Sequence, residues 1–233
     1  MIAVVGVPAW RAAEPSGPGG RACDVAIAAA RRGARVELVG RAGDDRDGDA
    51  VLMALSRAGV GHAAVLRDPV RATPVIERSP ADESALDAES LLDADSLLDA
   101  ESLLDARRAL ASSIAEPGPL LDPADVALGL SYVDAFSVLV VTDDVPAGAL
   151  PAAVEAAAYA GAQLVVIIPP GRPTLAVLPA DATVLAAPDE ADDGEFATLV
   201  GEYAAALDGG MRPAEAFAAA TRAAGWEALD QLA

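Results

Sequence analysis

Apolar and polar positions follow a repeating rhythm along most of the chain: short runs rich in Val, Ile and Leu, each followed by a longer alanine-rich stretch. The runs Ile2–Val7, Arg35–Gly40, Thr73–Glu77, Ser137–Thr142, Gln163–Ile168 and Thr183–Ala187 predict strands. The stretches Ala22–Arg32, Gly48–Ala58, Gly148–Ala160, Glu195–Leu207 and Pro213–Ala224 predict helices, bounded by Gly, Pro or Asp. Parallel strands need crossover connections, so strand–helix alternation predicts a mostly parallel sheet covered on both faces, a three-layer α/β/α arrangement. In such a sheet a ligand sits at the carboxyl ends of the strands. A length of 233 residues suits one domain, taken here as residues 1–233.

One segment breaks the rhythm. Between Asp87 and Asp105 the hexamer Asp-Ala-Glu-Ser-Leu-Leu occurs three times, once with Asp in place of Glu. Six residues on an α-helix advance about 600°, so successive Leu-Leu pairs rotate by about a third of a turn and never form one apolar stripe. The segment is read as a low-complexity repeat inserted within the domain, with a leucine motif for a partner or a homo-oligomer as the second reading.

Composition narrows the chemistry. Hydrophobic residues are 53% of the chain and aromatics only 3%, so the core must be built from Ala, Val and Leu. The net charge of −20 repels phosphate backbones and anionic lipid, which argues against nucleic acid or a membrane surface as partner. There is no lysine and no asparagine, which excludes a Schiff-base lysine, a P-loop lysine and any catalytic asparagine. A single Cys (Cys23) and a single His (His62) allow neither an intrachain disulfide nor a clustered zinc site. His62, in Gly59-Val60-Gly61-His62, is expected on a surface loop. The sequence opens directly on a strand pattern, without the features of a signal peptide or a membrane span, so a cytoplasmic location is expected.

The motifs come in a specific order. Pro18-Gly19-Gly20-Arg21-Ala22-Cys23-Asp24 leads into an alanine helix ending in Arg-Arg-Gly-Ala, then a strand, then Gly43-Asp44-Asp45-Arg46-Asp47-Gly48-Asp49. As a unit this resembles the first signature of the PfkB (ribokinase-like) carbohydrate kinases. Physically, Gly19 and Gly20 let a backbone approach a ligand closely at a helix start, where unpaired N–H groups accept polar oxygens. The resemblance implies that Gly19, Gly20 and Asp24 line the site of a sugar or nucleoside, with Asp24 where the family has Asn. The alternative for Asp24 is an acid favoured by the helix dipole. Asp44, Asp45 and Gly48 are read as turn and cap.

The resemblance continues at Gly161–Pro170, where the family strand ends in Asp-Pro and this chain has Ile168 in place of the acid. It continues at Pro188-Asp189-Glu190-Ala191-Asp192, similar to the family's Pro-Asn-x-x-Glu, so Asp189 and Asp192 are the implied Mg²⁺-associated acids. The next residues, Asp192-Asp193-Gly194-Glu195-Phe196, open the helix that resembles the second signature, Gly-Ala-Gly-Asp-Ala-Phe. Aligning Phe196 sets Gly194 in the place of the catalytic Asp; a shift of one residue makes Asp193 the base and leaves Gly194 at the phosphate. A glycine-rich helix start offers N–H groups to a transferring phosphoryl, and Asp193 in place of a glycine sets negative charge there. Asp192 and Glu195 also have the spacing of a capping box, which needs no ligand. The nucleotide-site segment and the substrate lid are short, so the fold expectation is a ribokinase-like domain with its lid reduced or absent. The functional expectation is a catalytically degenerate homologue that binds a small molecule or acts as a regulator or scaffold; the alternative is an active ATP- and Mg²⁺-dependent sugar or nucleoside kinase.

Overall fold

The computed structural model describes residues 1–12, 15–76, 118–169, 178–188 and 193–223. The hexamer segment, Asp189 and Asp192 lie outside the described residues.

Six strands form one sheet: β1 (Ile2–Val5), β4 (Val36–Gly43), β5 (Val60–Asp68), β7 (Val138–Val141), β8 (Gln163–Ile168) and β9 (Thr183–Ala186), in the order β5-β4-β1-β7-β8-β9 with every pairing parallel. Such strands are buried on both faces and therefore read as continuous apolar runs. Their side chains divide by a period of two. Ile2, Val4, Leu38, Val138, Val140, Val165 and Ile167 join one core, and Ala3, Val5, Val39, Leu139, Val141, Leu164 and Val166 the other.

The first core is covered by α1 (Arg21–Arg31), α2 (Arg46–Arg57), α5 (Asp193–Asp208) and α6 (Pro213–Ala223), the second by α3 (Pro123–Ser131) and α4 (Leu150–Ala160). Alanine carries a structural consequence here. Gly201 of α5 lies so close to α1 that a Cβ on it would be 2.5 Å from the Ala28 Cβ. Tyr203, the largest fully buried side chain among the described residues, is 1% exposed and its hydroxyl pairs with Thr183 Oγ1 at 2.9 Å.

Three short strands make a second sheet: β2 (Ala9–Arg11), β3 (Gly17–Gly19) and β6 (Val75–Ile76), with β2 antiparallel to β3 and parallel to β6. This is the reduced lid of the sequence expectation. It is tied to the main sheet through Thr73, whose N–H and hydroxyl donate to Asp45 at 2.7 and 2.8 Å, while Thr73 Oγ1 accepts from Gly43 N. Asp45 also caps α2 by accepting from Gly48 N, as its spacing predicts. Burial raises its pKa, but the bonds from Gly48 and Thr73 and the charge of Arg67 outweigh that and hold its carboxyl below the usual range. Just beyond β6 the described chain resumes at Gly118, packed so closely on Pro74 that a Cβ would be 2.7 Å from its ring.

One expectation is corrected. His62 is not on a loop: it lies in β5, half-buried, with its Nδ1 shielded from solvent. The sequence around it is punctuated by Gly59 and Gly61, which hid the strand. The helix α3 was also missed; it opens with Asp122 in a reciprocal capping box with Asp125 and Pro123 at its first position.

Candidate functional site

The sheet order reverses between β1 and β7, because the chain runs outward from β1 through β4 to β5 and then crosses to β7, β8 and β9. A crevice opens at the carboxyl ends of strands on either side of such a switch point. Three segments meet there: Gly6-Val7 after β1, Thr142-Asp143-Asp144 after β7, and Gly20-Arg21 at the start of α1. Gly6 is required for that meeting, since a Cβ on it would be 2.1 Å from Thr142 Oγ1 and 2.6 Å from the Ala22 Cβ. Gly20 caps α1 with φ of 82°, a conformation that leaves the first N–H groups of the helix without a side-chain cap.

Asp144 is the most perturbed acid of the crevice. Burial pushes its carboxyl up to about 6, and the adjacent Asp143 adds to the rise; bonds from the Thr142 hydroxyl and Val7 N–H and the charge of Arg21 oppose it. The geometry shows which bonds a proton on Asp144 would complete. Thr142 Oγ1 is 3.0 Å from Val5 O and within hydrogen-bond reach of Asp144 Oδ1, but a hydroxyl has one proton. If Asp144 carries the second proton, it donates to Thr142, Thr142 donates to Val5 O, and Val7 N–H donates to the remaining carboxyl oxygen at 3.1 Å. Every polar atom of the set is then satisfied.

Around this acid the other charges are paired. Arg21 makes an ion pair with Asp143 and stands 5.6 Å from the centre of the Phe196 ring, which brings the start of α5 against the start of α1. Arg11, from the second sheet, reaches Asp24 in the first turn of α1 at 2.9 Å. Cys23 lies beneath them, fully buried, with its thiol pushed up to about 12 by burial, so it is packing and not a nucleophile. A cavity of about 260 Å³ continues from Thr142, Asp143 and Asp144 towards Ile168 and Pro169 at the end of β8.

Gly19, Gly20 and Asp24 follow one another at the junction of β3 and α1. Gly19 ends β3, Gly20 caps α1, and Asp24, in the first turn of α1, has one oxygen held by Arg11. Asp193 and Gly194 open α5, and Gly194 is exposed with open space around it. Ile168, at the position of the family's acid, is an apolar wall of the cavity. Sequence reasoning missed Asp143 and Asp144. The available signal was a fully apolar strand ending in Thr-Asp-Asp, next to the first strand in a switch-point fold.

Comparison with known proteins agrees with the fold. The sequence model of the pfkB family carbohydrate kinases matches residues 14–79, which cover the first signature. No curated protein matches the chain. Among solved structures, Sa239 superposes with a TM-score of 0.63 at 14% identity, covering 96% of this chain and 92% of that one. The ribokinase of Arabidopsis thaliana, complexed with ribose and ATP, gives 0.60 at 14% identity over 96% and 90% of the two chains. A putative ribokinase from Agrobacterium tumefaciens gives 0.54 at 16% over 93% and 87%. The chain spans about half the length of a carbohydrate kinase from the same bacterium, 52% of that chain. The fold is thus ribokinase-like, a Rossmann-like α/β/α layering with a mostly parallel sheet. The chain is PfkB-like in sequence across its first signature.

Proposed function

We propose that this protein is a PfkB-type carbohydrate kinase homologue that binds a small polyhydroxylated molecule, a sugar or nucleoside, in the switch-point crevice without transferring phosphate to it. The supporting observation is the contrast between the crevice and the start of α5. The crevice keeps a glycine turn at a helix start without a side-chain cap, together with Asp24 and Asp144, carboxylates that accept hydrogen bonds as hydroxyls require. The helix α5 opens on Asp193-Gly194-Glu195, with two acids where the family resemblance calls for a glycine-rich anion hole. A triphosphate brought there meets like charge, so the residues present fit ATP and Mg²⁺ poorly. A regulatory or scaffold role follows for a protein that recognises a ligand without converting it.

A second reading rests on Gly194. Its surroundings are open, so the helix start has room for a phosphoryl oxygen against its N–H groups. On that reading Asp193 is the base, Asp189 and Asp192 hold Mg²⁺, and ATP is the donor. Calorimetry with ribose and adenosine, each with and without ATP and Mg²⁺, separates the two. The proposal expects saturable binding of a sugar or nucleoside and no sugar phosphate product. ATP-dependent phosphorylation that disappears in Asp193→Ala establishes the second reading and ends the first.

A further inference from the structure

On the face of the sheet away from α1 and α5, an open groove of about 790 Å³ runs between α3 and α4. Its floor is apolar, made by Leu130, Val133 and Phe136 with Ala152 and Ala156. Tyr159 stands at its edge 95% exposed, and Tyr132, which ends α3, is 62% exposed. Large rings left in water beside an apolar trough mark a surface built for contact.

The charges of the groove have one sign. Asp134 and Glu155 are its charged lining residues, and both are exposed. This belongs to a wider asymmetry, since the sequence has no Arg, Lys or His between Arg108 and Arg172.

From the trough, its two helical walls and its acidic rim, we infer that the groove docks a basic amphipathic helix of a partner protein. Apolar residues spaced i, i+3, i+4 would enter the trough, and flanking Lys or Arg would meet Asp134 and Glu155. The charge selects this occupant over two others. The hexamers of residues 87–105 carry an acid on each side of every leucine pair, and a second copy brings another −20 of charge, so both meet like charge at the rim. Leu150, at the other end of α4, lines the cavity of the crevice, so a partner held here grips the helix that also walls the ligand site.

The test uses the full chain and two fluorescently labelled helical peptides with the same leucine face, one with Lys and one with Glu at the remaining positions. Anisotropy should show saturable binding of the Lys peptide that weakens steeply with salt and falls at least about tenfold in Glu155→Arg and in Asp134→Arg. Both positions are exposed, and unchanged thermal unfolding of the variants confirms that the loss is local. Failure of the Lys peptide to bind, equal binding of the Glu peptide, or indifference to both substitutions overturns the proposal. It also falls if wild-type sediments as a dimer that Glu155→Arg dissociates, which makes a second copy the occupant. Lys-peptide binding that appears only once residues 87–105 are deleted makes the repeat the occupant, with the same result.

Discussion

The crevice at the ends of β1 and β7 and the opening turn of α5 lie beside one another, joined by Arg21, yet they are built in opposite ways. In the crevice every position is constrained: Gly6 admits no side chain, Thr142 has one proton for two acceptors, and the acids Asp24 and Asp143 are held by Arg11 and Arg21. At the start of α5, a Cβ on Gly194 would meet nothing within 4 Å and Glu195 is exposed. Tight geometry without slack is what a preorganised binding site requires; an exposed acid such as Glu195 at a helix start favours the helix dipole. The difference teaches that resemblance to a two-part site can persist in one part alone.

Substitutions sharpen that contrast. The largest effect is expected for Gly6→Ala, which forces a methyl into Thr142 and Ala22 and should cost about 3 kcal/mol or more, read from denaturant unfolding. A loss well below this means the crevice is not rigid, and the comparison fails.

Asp144→Asn comes next, in the opposite direction. The folded carboxyl titrates near 6 against 3.8 unfolded, so as pH rises between about 4 and 6 the unfolded chain releases its proton before the folded one does. Stability is therefore lost across that window and stays lower above it. Asn keeps the satisfied pattern, accepting from Val7 and donating to Thr142, without the charge. It should stabilise the protein by about 2 kcal/mol at pH 8 and change little at pH 4, as followed by thermal unfolding at the two pH values. Equal effects at both would show that burial of the charge is not what perturbs Asp144.

Smaller changes complete the series. Arg11→Ala removes a pair that is partly exposed, so stability should fall by less than about 1 kcal/mol, while ligand affinity shifts because Asp24 loses its partner. Gly194→Ala fills open space in a helix and should stabilise by at most about 1 kcal/mol, leaving ligand binding intact. If it abolishes binding of the sugar or nucleoside, the start of α5 belongs to the working site after all.

Five of the six main strands were legible because parallel strands buried on both faces are continuous apolar runs, as Val138–Val141 and Gln163–Ile168 are. The strand β5 was not, because Gly61 and His62 interrupt its start and only Val60, Ala64, Val65 and Asp68 are buried. The helix α3 was hidden by its shortness and its nearly uniform apolarity. In the site, the glycine turn and Asp24 could be read from local spacing. Asp144 could not be ranked that way, since what makes it unusual is the distant Val7 N–H, Val5 carbonyl and burial that only the folded sheet supplies.

The contact of Gly118 with Pro74 has a consequence for how this gene can change. Gly118 stands against Pro74, one residue before β6, so the described residues on either side of positions 77–117 lie close together. Joining two such close points through a flexible connection costs only about 0.6 kcal/mol more for each doubling of its length. Replication slippage could add or delete a hexamer there with almost no thermodynamic penalty, which makes copy number a nearly neutral character on which drift, or a new binding partner, can act.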